Sequence, residues 1–142
     1  MNDIKTATRP MTVAALTELI DAGGVQEVIG YDVETRTWVQ ERVTEVELLS
    51  GKVPCRKIGL HTGRNVVLPK QVSVLLHSGE WCMVADLPFN AKLQAFCPLT
   101  TDTYVKTSWV VDAPEEEYTN IAVANCGCFA LAEGLVVQSL EM

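Results

Sequence analysis

Turn signals recur along this chain at a spacing that leaves little room for helix beyond its first two dozen residues. Gly23-Gly24, Asp32 to Thr37, Ser50-Gly51-Lys52, His61 to Asn65, His77 to Glu80 and Asp112 to Glu117 all carry the glycine, proline, asparagine, aspartate and serine chemistry of turns and loops. Between them lie short runs rich in valine, leucine and tryptophan. Such runs, separated by turns roughly every 8–12 residues, are the pattern of an all-β fold built from many short strands. The runs fall at 25–31, 38–49, 55–60, 66–68, 72–76, 81–83, 93–97, 104–111, 118–123 and 129–137. Trp38 to Leu49 alternates apolar and polar residues, as a half-buried strand should. Asp112 to Glu117 reads as an acidic loop and Pro98 to Thr103 as a polar break.

One helix precedes the strands. Thr12 is an N-cap residue, Val13, Leu16, Leu19 and Ile20 share one helical face, and Gly23-Gly24 ends the pattern. The polar stretch before it, ending in Arg9-Pro10, is expected to be an extended arm or an edge strand. With 142 residues and 48% apolar composition, the chain can bury a core as a single domain over residues 1–142.

Charge and hydropathy narrow the function classes. The net charge is −7 and the acidic residues are scattered, so nucleic-acid binding is not expected. No apolar run approaches the roughly 20 residues that span a bilayer, and no signal-peptide core opens the sequence. The expectation is a cytoplasmic protein without membrane contact.

The 5 cysteines, Cys55, Cys82, Cys97, Cys126 and Cys128, are irregularly spaced and are read as reduced thiols, mostly buried. Cys126-Gly127-Cys128 leaves three readings open: a structural pair, a redox or metal-binding pair, or a nucleophile. His61 and His77 stand alone in turns and are expected to face solvent. Neither adds the second ligand pair that a zinc site requires, so no metal or other cofactor is expected. Trp38, Trp81 and Trp109 are spread over different strands and are expected to be core or half-buried sheet residues.

The closing segment, Tyr118-Thr-Asn-Ile-Ala-Val-Ala-Asn-Cys126-Gly-Cys128-Phe129-Ala-Leu-Ala-Glu-Gly134-Leu-Val-Val-Gln138-Ser139, resembles the end of hedgehog/intein (Hint) domains. Other pieces precede it in the family's order. Thr12 to Leu19 is similar to its apolar helical turn, and Val28 to Val39 to its first hairpin. Arg42 to Val46 resembles the following strand, Leu60 to Val66 its Thr-Gly-Arg hairpin, and Gly79 to Leu87 its Gly-x-Trp and Asp-Leu segment. The resemblance spans about residues 12–96 and 104–139, and implies a compact intein-like β fold.

That family performs acyl transfer. A Cys or Ser at the first residue attacks its own upstream carbonyl, a Thr-x-x-His segment polarises the bond, and in inteins a final His-Asn cyclises. Carried onto this chain, Thr-x-x-His falls on Leu68 and Gln71, and His-Asn on Gln138 and Ser139. Leu68 cannot donate a hydrogen bond, Gln71 cannot shuttle a proton near neutral pH, and Ser139 cannot form a succinimide. Met1 or Asn2 occupies the approximate place of the nucleophile, with Thr6 and Thr8 as nearby hydroxyls. The expectation is a domain that has lost self-processing and has no catalytic residues, serving as a structural or protein-binding module with a protein partner or through self-assembly. By analogy with the family's occurrence in phage genomes, a phage assembly or accessory role, and with it association with a virion, is a further expectation. The alternative is residual autoprocessing or a trans-acting intein-like enzyme using Cys126 or Cys128.

Overall fold

A computed structural model of the chain describes residues 3–6, 10–95 and 104–140. Helix α1 spans Val13–Asp21, where the sequence pattern placed it. Thr12 Oγ1 accepts the Ala15 N–H at 3.1 Å, the Gly24 N–H bonds to the Leu19 carbonyl, and Gly23 takes φ +82° to turn the chain away. Its buried contact is Leu16.

The remainder is β. The strands are β1 Glu27–Asp32, β2 Thr37–Leu48, β3 Val53–Leu60, β4 Asn65–Pro69, β5 Ser73–Leu75, β6 Trp81–Met83, β7 Lys92–Gln94, β8 Tyr104–Glu116, β9 Thr119–Val123, β10 Cys128–Ala130 and β11 Val136–Gln138. All pair antiparallel, in three sheets ordered β1-β2-β9, β10-β11-β5-β6 and β4-β3-β8-β7. The all-β expectation holds. Of the arm before the helix, Lys5 is not on an edge: its N–H bonds to the Ala130 carbonyl and its carbonyl accepts from Ile29, so it sits between β10 and β1. Ile4, fully buried, bridges both Met11 and Leu131.

Two expectations about strands are corrected. Asp112 to Glu116 is strand rather than loop, because β3 continues to pair with β8 as far as Val53↔Glu116. The register slips between Cys55↔Ala113 and that last pair, so Pro114 falls in a bulge, where a missing N–H is tolerated. Lys70 and Arg56 approach the Asp112 carboxylate at 3.3 and 3.9 Å. Residues 129–137 form two strands rather than one. Gly134, at φ +95°, closes a turn with its N–H on the Leu131 carbonyl and folds β11 back on β10. The expected break at 98–103 lies outside the described residues.

One large core gathers Ile4, Leu16, Ile58, Leu68, Leu93, Ile121, Phe129, Leu131 and Leu135 from all three sheets. A smaller cluster of Tyr31, Leu75, Cys128 and Val136, with Val33, Trp38, Trp81 and Cys126 against it, lies apart. Tyr31 and Trp38 meet edge to face there, at 4.7 Å between centroids. Tyr31, Val33, Trp81 and Cys126 of this second cluster line the main cleft.

Candidate functional site

The cleft has a volume of about 750 Å³ and opens between the first hairpin and the closing strands. Tyr31 to Glu34 and Val39 and Glu41 form one wall, and Trp81 stands at one side. Asn125 to Gly127 and Gln138 to Leu140 form the opposite wall. Asp32, Glu34 and Glu41 bring carboxylates to it, and among the described residues no lysine or arginine lines it.

Chain geometry explains why these residues meet. Alternation along β2 puts Val39, Glu41 and Val43 on one face, so Glu41 points inward and is 6% exposed. Its two carboxylate oxygens accept the Cys126 N–H at 2.7 Å and the Asn125 side-chain amide at 3.2 Å. Charge-assisted bonds of this kind compensate the burial of a carboxylate, and here they fix the loop between β9 and β10. Gly30 lets that loop approach β1. A Cβ at Gly30 would stand 2.5 Å from Cys126 Sγ and 2.9 Å from the Cys128 carbonyl oxygen.

The closing segment is tied from the other side. Ser139 donates its N–H to the Gly127 carbonyl at 2.8 Å and its hydroxyl to the Ile121 carbonyl. Asn120, buried, bonds Leu140 twice, accepting its N–H at 2.9 Å and donating to its carbonyl at 3.0 Å. Gln138 ends β11 opposite Cys128.

Of the family positions, the structure brings Gln138 and Ser139 into the cleft together with Cys126. It does not bring Leu68 or Gln71 there. Leu68 is fully buried in the main core, paired with Arg56 across β3 and β4. Gln71 is exposed in the turn before β5. Thr6 is buried, while Met1, Asn2, Thr8 and Cys97 lie outside the described residues. His61 is exposed as expected, whereas the His77 ring packs on Tyr104 at 5.0 Å and is half-buried.

The thiols divide into two kinds. Burial pushes Cys55 and Cys82 above the usual thiol range, and neither lines the cleft. Cys126 is half-buried on the cleft wall and Cys128 is buried behind it, with the two sulfurs 3.7 Å apart. The hydrogen bond that the Cys128 thiol gives to Cys126 draws the Cys126 thiol below its ordinary value, against the effect of burial. The same bond, together with burial, pushes Cys128 up. Among the described residues, no group of three or more histidine, cysteine, aspartate or glutamate side chains is arranged to hold a metal ion. None of the described helices is long and apolar enough to cross a membrane.

Sequence reasoning missed Glu41, Gly30 and Asn125. A glycine inside a strand signals close backbone approach, and β2 alternation places Glu41 inward, so both signals stood in the sequence. Nothing local pointed to Asn125.

No protein-family model matches this sequence, and no curated protein matches it. Solved structures do match. The Ssp DnaB mini-intein variant M86 aligns with a TM-score of 0.83 at 18% identity, over 99% of this chain and 93% of that chain. The DnaB intein from Synechocystis gives 0.81 at 17%, over 98% and 95%. The PabCDC21-1 intein gives 0.78 at 14%, over 98% and 95%. At these identities the likeness is one of architecture, and it shows that the chain has the Hint/intein fold.

Proposed function

We propose that this domain keeps the intein scaffold without its self-processing chemistry and uses the cleft to bind a polypeptide segment of a partner protein. One observation carries the reading: two of the positions matched to the family's reactive groups, Leu68 and Ser139, are built into the fold while the cleft between the closing strands and the first hairpin stays open. Leu68 is core, and the Ser139 hydroxyl and N–H are both engaged with backbone carbonyls. The resemblance implies a cleft shaped for main chain. Its aromatic and aliphatic lining beside carboxylates suits an extended segment carrying lysine or arginine. A role in phage assembly would be one setting for such a module.

Selection of displayed random peptides against the purified domain tests the binding. Enriched peptides should carry basic residues, weaken as salt rises, and lose binding to Glu34→Arg, an exposed cleft position. Enrichment of peptides indifferent to Glu34→Arg would refute the cleft as the binding surface.

The alternative, acyl transfer at Cys126, has its own support in that cysteine's access to the cleft and lowered thiol value. Intact mass over a day at neutral pH, with and without a strong thiol, separates the two. Unchanged mass supports the binding module, and cleavage supports the enzyme.

A further inference from the structure

We propose that Cys126 and Cys128 form a thiol–disulfide exchange site for small-molecule disulfides, with Cys126 as the attacking sulfur and Cys128 as the resolving one. The inference is independent of what polypeptide the cleft binds.

The geometry has three parts. First, the sulfurs are 3.7 Å apart, and a disulfide needs about 2.05 Å, so closure asks each sulfur to move by less than roughly 1 Å. Gly127 lies between them at φ +68°, a conformation that side-chain-bearing residues rarely adopt. Second, the two sulfurs differ in access. Cys126 lines the cleft, whereas Cys128 is fully buried at the start of β10. A small disulfide can therefore reach the first but not the second. Third, the surroundings hold the pair in register. Glu41 fixes the Cys126 N–H, and the absence of a side chain at Gly30 leaves room for Cys126 Sγ.

Protons are also provided for. Cys126 Sγ lies 3.2 Å from the Cys128 carbonyl, and Cys128 Sγ lies 3.2 Å from the Tyr31 carbonyl. With Cys126 ionised, the Cys128 proton turns to the Cys126 sulfur and supports the thiolate.

The exchange balances in two steps. The Cys126 thiolate attacks one sulfur of a disulfide RSSR, forming a mixed disulfide and releasing RS⁻. Cys128 then gives up its proton and attacks Cys126 Sγ, forming the Cys126–Cys128 bond and releasing the second RS⁻. Two cysteine thiols are oxidised to one disulfide and one RSSR is reduced to two RSH. The two protons lost by the cysteines go to the leaving thiolates. Closure also removes both S–H donors, which changes the cleft wall at Cys126 and links the redox state to the cleft.

The test uses the whole chain, reduced and then equilibrated in buffers of varied reduced and oxidised glutathione, followed by alkylation and peptide mapping. The wild type should lose two hydrogens within the peptide that contains both residues, in proportion to the buffer poise. Cys128→Ser should instead accumulate glutathione on Cys126, and Cys126→Ser should show neither product at this pair. A wild type that carries glutathione on Cys126 without closing the disulfide overturns the resolving role of Cys128. A Cys126 that stays unmodified across the series overturns the site. Should either serine variant fold poorly, the wild-type peptide map alone decides between these outcomes.

Discussion

Replacing Glu41 tests whether one buried carboxylate organises the cleft. Its oxygens hold the Cys126 N–H at 2.7 Å and the Asn125 amide at 3.2 Å, and the side chain is 6% exposed. In Glu41→Ala both acceptors disappear. Asn125 is exposed and can turn to water, whereas the half-buried Cys126 N–H loses its partner. Leaving such a donor unsatisfied costs about 1–3 kcal/mol. Glu41 lines the cleft, so water can enter in its place, and a loss of about 1–2 kcal/mol is expected. Glu41→Gln keeps one oxygen for Cys126 and meets Asn125 with its amide, which Asn125 can accommodate by rotating its own. That variant should lose only about 0.5–1 kcal/mol. Urea unfolding at neutral pH, analysed by linear extrapolation, measures both. The order wild type, glutamine, alanine is predicted, with alkylation of Cys126 fastest in the alanine variant, where the loop is released. An alanine variant as stable as the wild type, or a glutamine variant less stable than alanine, would refute the anchoring role.

Further expectations concern single sites. Gly30→Ala should destabilise by about 1–3 kcal/mol in urea unfolding, because its Cβ meets both a sulfur and a strand carbonyl. Tyr118 is buried, and its hydroxyl has no hydrogen-bond partner among the described residues, so Tyr118→Phe should be neutral or stabilising by up to about 1 kcal/mol. Burial holds that phenol above its ordinary value by penalising its ionised form, so it leaves stability unaffected by pH below the unfolded value, near pH 10, and stability falls as pH rises from there toward the folded value. Alkaline unfolding should therefore be shallower in Tyr118→Phe, as read by circular dichroism against pH. Cys128→Ala removes the thiol that supports Cys126, so the pH midpoint of Cys126 alkylation should move upward, with Cys128→Ser nearer the wild type.

Much of the fold was legible because it is written locally. The Thr12 cap, the Gly23-Gly24 stop and the hairpin at Asp32 to Thr37 are decided by residues a few positions apart, and the structure carries them where the sequence placed them. Asp112 to Glu116 misled because its proline and acids report local preference, while its strand state comes from pairing with β3, distant in sequence. The split of 129–137 was signalled in the sequence by Gly134, which the structure places at positive φ in the turn between β10 and β11. For the site, Cys126, Gln138 and Ser139 were found from the closing segment, but their common cleft depends on β1 and β2 folding against them. Glu41 shows the limit most plainly. Alternation gives its direction, and only the tertiary fold supplies Cys126 and Asn125 as its partners.

We infer that this intein-like scaffold does not process a polypeptide. The inference is tested most directly by fusing the chain in frame between two folded reporter proteins and following the purified fusion by intact mass at neutral pH, with and without a strong thiol. The unbroken fusion alone is expected under both conditions. Ligated reporters, or a reporter released on adding the thiol, would contradict it.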